Sequence, residues 1–284
     1  MRVLVTGAGG QLGHDTVAAC RSAGDHVLAC DHATLDVTDR DQVLGCITSF
    51  APTAVIHCAA WTAVDACESD VARAYSANSL AVRWVAEACD RTRAHLVHVS
   101  TDYVFDGTLD RPYHEWDTPN PTSVYGASKL AGEHEAAALG VGAAIARTSW
   151  VCGQHGANMV RTVLRLIDQQ PTLSFVDDQV GCPTFTADLA PMLRRLAVDQ
   201  RAGVYHLTNQ RSVSWYEFVR EIVAAAGRDS SMVTPISTAQ LQPPRPAPRP
   251  ANSVLDNAAA RHGGLPLLRD FAEPLAELVA ALRS

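Results

Sequence analysis

Lysine is all but missing from this chain: among 284 residues there is one, Lys129, and every other fixed cationic side chain is an arginine. Arginine therefore serves wherever an ordinary surface cation is wanted, and the lone lysine marks a place where a guanidinium will not do. An ammonium is compact and its pKa is tunable, whereas the guanidinium fork stays charged. No basic stripe is present either. The formal charge is −7 and the arginines are scattered, which excludes a nucleic-acid footprint. None of the eight cysteines (Cys20, Cys30, Cys46, Cys58, Cys67, Cys89, Cys152, Cys182) forms a Cys-x-x-Cys pair or lies at zinc spacing from a histidine cluster. They read as small core residues of a reducing compartment. No stretch reaches ~18 apolar residues, and Met1-Arg2 runs directly into Val3-Leu4-Val5 without a signal-type apolar region. A soluble, cytoplasmic protein is expected, and no internal repeat is evident.

What is there is alternation. Short apolar runs predict strands over 2–6, 26–30, 54–57, 95–100 and 143–147, separated by helix-periodic segments over 12–23, 40–50, 71–90 and 123–139. Such βα units predict an α/β fold, a doubly wound parallel sheet with ligands at the carboxyl ends of its strands. Beyond Trp150 the pattern loosens into polar, glycine-containing segments, and then a helix over 186–198 and a strand over 203–207 return to the sheet. The predicted organisation is a dinucleotide-binding domain of 1–151 plus about 185–208. A smaller, discontinuous substrate domain takes 152–184 plus 209–284. A helix near 215–226 and a closing helix over 268–282 belong to the latter. The proline-rich 242–250 segment is expected to be an ordered wall.

Gly7-Ala-Gly-Gly10-Gln-Leu-Gly13 follows the first strand and opens the first helix. Glycines there let the backbone approach a pyrophosphate whose charge meets free amides and the positive end of the helix dipole. Asp31 ends the second strand, 18 residues beyond Gly13, where a carboxylate accepts bonds from an adenosine ribose. Thr38 or Asp39 can cap the next helix, leaving Asp36 free for the adenine edge. Asp31 argues for NADH by repelling a 2′-phosphate unless it turns away, and His32 softens that repulsion, so NADPH and NADH both stay open. Cys58, Ala59 and Ala60 are small residues that let a ribose pass close to the backbone.

The strand ending Ser100-Thr101 puts two hydroxyls at the carboxyl edge of the sheet. Tyr125 and Lys129 follow 24 and 28 residues after Thr101, four apart and so on one helix face. With these residues and the glycine turn, the chain resembles the extended short-chain dehydrogenase/reductase superfamily. Five further runs are similar to those of dTDP-4-dehydrorhamnose reductases: Ala59-Ala-Trp-Thr-Ala-Val-Asp65, Ser100-Thr-Asp-Tyr-Val-Phe-Asp-Gly107, Arg147-Thr-Ser-Trp-Val151, Asp178-Gln-Val-Gly-Cys-Pro-Thr184 and Arg249-Pro-Ala-Asn-Ser-Val-Leu-Asp256.

The resemblance implies a Rossmann-type fold and an NAD(P)H-dependent reduction of the C4 ketone of dTDP-4-dehydro-β-L-rhamnose to dTDP-L-rhamnose. It assigns catalysis to Thr101, Tyr125 and Lys129. An adjacent ammonium and the nicotinamide charge are expected to lower the phenol from its reference pKa near 10. The expected cofactor contacts are Gly7, Gly10, Gln11, Leu12, Gly13, Asp31, Asp36, Val37, Cys58, Ala59, Ala60, Tyr125 and Lys129. The expected substrate contacts are Thr62, Val64, Asp65, Thr101, Asp102, Tyr103, Tyr125, Trp150 and Arg249, with Arg249 suited to a diphosphate. Tyr103 stands where related sugar-nucleotide dehydratases carry the glutamate of Thr-Asp-Glu, which favours reduction over elimination.

Magnesium-bridged dimers of the family use carboxylates at the contact. Only Asp15 matches such a position and no acidic partner is identified downstream. A metal-independent monomer with at most weak dimerisation is therefore expected, and magnesium is not. Two competing readings are reduction of another nucleotide-linked 4-keto-deoxysugar, and a non-catalytic regulatory subunit resembling that of methionine adenosyltransferase. The joint presence of Thr101, Tyr125 and Lys129 speaks against the second.

Overall fold

Short apolar runs buried on both faces are what a parallel sheet covered by helices requires. Six of them pair in the computed structural model, which describes residues 1–140 and 142–283. In space the strands run Gly203–His206, Ala143–Thr148, His95–Thr101, Ala54–His57, Arg2–Thr6, His26–Cys30. Every neighbouring pair is parallel. This is the expected Rossmann-type doubly wound sheet. The chain starts inside it, steps outward to His26–Cys30, then crosses back to Ala54–His57 and continues the other way. The reversal opens a crevice at the carboxyl ends of Arg2–Thr6 and Ala54–His57.

Alternation along each strand divides the core. Val3 and Val5 face one side with Val17, Leu189 and Leu193 of the helices Gln11–Ser22 and Thr186–Val198. Leu4 faces the other with Val43, Ile47, Val82 and Val85 of Arg40–Phe50 and Ala81–Thr92. Each such aliphatic side chain contributes about 1.5–3 kcal/mol by leaving water. A separate apolar cluster gathers Cys152, Val160, Phe185, Phe218, Ile222, Phe271 and Leu275.

Two elements differ from the periodicity. The segment predicted as one helix over 71–90 is Val71–Tyr75 and Ala81–Thr92 joined by a π-helical turn, Ser76–Leu80. The cause is tertiary: Asn78 is fully buried and accepts from Trp61 N at 2.8 Å, while its amide donates to Trp61 O at 3.1 Å and Ser128 Oγ at 3.0 Å. The closing helix spans Ala272–Arg283 and not 268–282, because the Asp270 carboxylate accepts from Ala272 N at 2.9 Å and stops the pattern there.

The helix Val124–Ala137 carries Tyr125 and Lys129 and is held at three levels. Ser123 caps it by accepting from Gly126 N at 3.1 Å. Gly126 lies so close to the preceding loop that a Cβ there would come within 2.1 Å of Tyr103 O. Deeper in, Arg147 forks onto Glu133 at 2.9 and 2.7 Å and Ser100 donates to the same carboxylate at 2.5 Å. Both charged side chains are only 4% exposed.

Removing one partner of a buried pair strands the other charge. Glu133→Ala is therefore expected to lose about 3–5 kcal/mol of stability. A Glu133→Leu/Arg147→Met double variant, with no stranded charge, should lose far less. Urea unfolding of both variants measures this.

Candidate active site

The carboxyl ends of the first three strands carry the glycine turn, Asp31 and Cys58-Ala59-Ala60. They surround a cleft of about 710 Å³ that also touches His32, Asp36 and Val37. The turn is tight for a reason. A Cβ at Gly7 would lie 2.7 Å from Ala59 N, and one at Gly13 only 2.0 Å from Gly7 O. Exposed Gly9 and Gly10 line the cleft without side chains, so the residues fit a dinucleotide laid across the turn.

A second cavity of about 410 Å³ shares Gly7, Gly10, Cys58 and Ala60 with the cleft and continues it inward. Its walls include Gln11, Leu12, Gly13, Thr62, Val64, Thr101, Asp102, Tyr103, Tyr125, Lys129 and Trp150. Residues from five separated runs thus meet in one space. Tyr125 and Tyr103 rings stand edge to face, 5.8 Å apart. Thr101 donates to Asp102 Oδ1 at 2.9 Å and accepts from Tyr103 N at 3.2 Å. Burial pushes the Asp102 carboxyl up to about 6.

Lys129 is 2% exposed and donates to Val99 O at 2.7 Å. Burial pulls its ammonium down to about 8, against the opposing pull of Glu133. Below it, His57 and His98 stack with centroids 5.5 Å apart. Burial first, and the Lys129 charge second, hold both histidines uncharged, His57 down at about 3. These two imidazoles therefore add no positive charge beside the ammonium. For the phenol, burial works against the expected lowering. Burial pushes Tyr125 above its ordinary value; the neighbouring Thr101 hydroxyl pulls down, and Asp102 adds to the rise.

Four expected contacts are engaged elsewhere. Asp36 lines the cleft with its Oδ1 already accepting from Thr38 N at 2.9 Å and Thr38 Oγ1 at 2.7 Å; Asp39 is the helix cap. The Gln11 side chain binds the loop opposite, accepting from Gly153 N at 3.1 Å and Asn158 Nδ2 at 2.8 Å and donating to Ala157 O at 2.9 Å. Asp65 and Arg249 lie outside the residues lining the cavity and pair with each other at 2.6 and 2.8 Å. The fork expected for a diphosphate is thus already on a carboxylate, and Ala247 N also donates to Asp65 at 3.1 Å, tying the proline-rich wall to the Val64–Ser69 helix. Asp31 does turn toward its own loop: Oδ1 accepts from Ala33 N, Thr34 N and Thr34 Oγ1 at 3.1, 3.0 and 2.8 Å.

The sequence reading missed Trp215. Its ring stacks on Trp150 with centroids 3.5 Å apart and planes 6° from parallel, and both line the inner cavity. Trp150 itself sits at φ 46°, a left-handed conformation that costs a bulky residue energy. Gly181 admits its ring, since a Cβ there would lie 2.6 Å from it. Thr148, also missed, lines the cavity with a buried hydroxyl that has no hydrogen-bond partner among the described residues. Among the described residues one group of three side chains has metal-binding chemistry: His14, Asp15 and His155. Two imidazoles and a carboxylate are not the oxygen shell magnesium takes.

The family model described as RmlD substrate binding domain matches residues 1–284. The chain is 42% identical to a dTDP-4-dehydrorhamnose reductase of Aggregatibacter actinomycetemcomitans, over 90% of both chains. It is 37% identical to a dTDP-4-keto-6-deoxy-D-glucose reductase of Streptomyces niveus, over 100% of this chain and 98% of that one. The crystal structure of a Bacillus anthracis dTDP-4-dehydrorhamnose reductase in complex with NADP superposes with a TM-score of 0.94 at 36% identity, over 99% of each chain. With a glycine turn, a Thr-Tyr-Lys set on one cavity and a match running from end to end, the chain belongs to the RmlD family, that of the dTDP-4-dehydrorhamnose reductases.

Proposed function

We propose that this chain is an NAD(P)H-dependent reductase of the C4 ketone of dTDP-4-dehydro-β-L-rhamnose, yielding dTDP-L-rhamnose. The observation that carries the reading is the convergence of Thr101, Tyr125 and Lys129 on a cavity continuous with a dinucleotide-sized cleft. A bound dihydronicotinamide supplies the hydride. Tyr125 delivers the proton: the alkoxide formed at C4 is a stronger base than a phenolate, so even a phenol raised by burial gives up its proton to it. The Thr101 hydroxyl, fixed by Asp102 and Tyr103 N, hydrogen-bonds the same oxygen and stabilises its developing charge. Lys129 holds the nicotinamide ribose with the donors that Val99 O leaves free.

The residues around the sheet form the cofactor domain and those around the Phe218 core the sugar domain. Thr62, Val64 and Trp150 take the sugar. With Asp31 engaged in its own turn, the cleft admits NADPH as well as NADH. The protein works without magnesium.

The name of the Streptomyces niveus relative supports a second reading, reduction of a different dTDP-linked 4-keto sugar. An NMR spectrum of the product distinguishes the two by the configuration at C4 and C5.

Supplying the 4-keto substrate through its upstream epimerase should consume NADPH, and Tyr125→Phe should slow that turnover by about 10²–10⁴-fold while still binding cofactor. An inert wild-type protein sinks the reading. Lys129 is charged below its pKa and neutral above it, so kcat/KM for NADPH should fall as pH rises through about 8. Lys129→Arg should lose turnover by about 10²-fold through misplacement and show no such limb, because a guanidinium does not titrate there. Trp215→Ala should raise the sugar KM about tenfold with NADPH affinity unchanged, since it removes the support of Trp150 and part of the inner cavity wall while leaving the lining of the cofactor cleft intact.

A further inference from the structure

Cys30 and Cys46 bring their sulfurs to 3.8 Å, within sulfur hydrogen-bond distance. Cys30 is the last residue of the second sheet strand and is buried, whereas Cys46, on the Arg40–Phe50 helix, is only half-buried and within reach of small reagents. The shared hydrogen bond favours a thiolate at Cys46 and opposes one at Cys30. The segment between them holds Asp31, His32, Leu35, Asp36 and Val37, one whole wall of the cofactor cleft. The strand end also braces the glycine turn, because Cys30 O accepts from Ala8 N at 3.0 Å.

We propose that Cys30 and Cys46 form a reversible disulfide that loosens the adenosine end of the cofactor cleft, making this pair a redox-sensitive modification site. The oxidant is a peroxide. The Cys46 thiolate attacks one peroxide oxygen, the O–O bond breaks and hydroxide leaves, giving a sulfenic acid. The Cys30 thiol then attacks that sulfur: the S–S bond forms, the S–O bond breaks and water leaves. In sum, two thiols and one hydrogen peroxide become one disulfide and two waters, with both sulfurs oxidised and the peroxide reduced. A bonded pair needs about 2.05 Å, which the sulfurs reach from 3.8 Å by side-chain rotation together with an approach of the strand end to the helix. That movement draws Cys30 O away from Ala8 N and shifts Asp31 against the exposed glycines of the turn.

The inference rests on the cofactor cleft proposed above, and one experiment separates the two. NADPH affinity of the reduced full-length protein is measured first by fluorescence titration. Failure to bind there overturns the reductase reading before any oxidant is present. Hydrogen peroxide is then added. The expected result is an intact mass lower by ~2 Da, peptides of Cys30 and Cys46 joined under non-reducing conditions, and an NADPH dissociation constant about tenfold higher, reversed by dithiothreitol. Cys46→Ser should bind NADPH like the reduced wild type and ignore peroxide, and Cys46→Ala should do the same if serine perturbs the helix. Cys46 ending as a sulfinic acid without a crosslink, a crosslink that leaves affinity unchanged, or equal peroxide sensitivity in the Cys46 variants each overturns the proposal.

Discussion

The buried pairing of Arg147 with Glu133 joins the sheet to the helix that bears the reactive groups, and the arrangement of the active site depends on it. Arg147 comes from the fifth strand, Ser100 from the fourth and Glu133 from the helix Val124–Ala137, so one carboxylate reads the position of all three. Lys129 lies one turn before Glu133 on the same helix, and Tyr125 two turns before it. A pair so deeply buried adds little net stability over an apolar contact. Its value is geometric, because a forked guanidinium tolerates little rotation of the helix about its axis. Backbone contacts sharpen the constraint: Gly126 against Tyr103 O and Gly132 against Asn78 O leave no room for a side chain between the helix and its neighbours.

The same dryness sets the chemistry. Burial disfavours charge, so it lowers Lys129 and raises Tyr125, moving both toward their neutral forms. The two shifts have different consequences. A weakened ammonium still donates hydrogen bonds, and Val99 O already directs one of them. A raised phenol stays protonated, which is the form a reductase needs when an alkoxide appears beside it. The expectation of a lowered phenol counted the adjacent ammonium and the nicotinamide charge, and helical spacing says nothing about the dehydration that opposes them. His57 and His98 extend the same logic into the sheet, where an uncharged pair adds no positive charge of its own beside Lys129.

Much of this was legible in the sequence where the signal is local. The helix Thr186–Val198 has the predicted bounds, and Arg40–Phe50 does too, with Asp39 as its cap. The strands carry their own period, and the glycine turn declares its context on both sides. What escaped the sequence depends on contacts far apart in the chain. Asn78 inserts a π-turn only because Trp61 and Ser128 meet it across the fold. Asp36 is taken by a threonine two residues on, a local bond that competes with the ligand role assigned to it. Trp215 carries no motif, and its role exists only once it lies on Trp150.

The outer wall of the site follows a different rule from its floor. Asp65 and Arg249 are 184 residues apart, yet their fork pins the proline-rich segment to the Val64–Ser69 helix, which begins two residues after Thr62. An arginine forked onto a carboxylate and also donating to Ala247 O offers an anion less than a free one does, so a diphosphate seeking Arg249 has to displace Asp65 or share its donors. On the opposite wall, Trp150 holds a left-handed backbone conformation that is tolerated because Trp215 and Gly181 fix its ring. Floor residues are thus positioned by the sheet, and wall residues by pairs that close across the chain. On the proposed reading, in which the floor meets the carbonyl and the wall the rest of the sugar, changing a wall pair alters which 4-keto sugar fits while leaving the Thr-Tyr-Lys floor as it is.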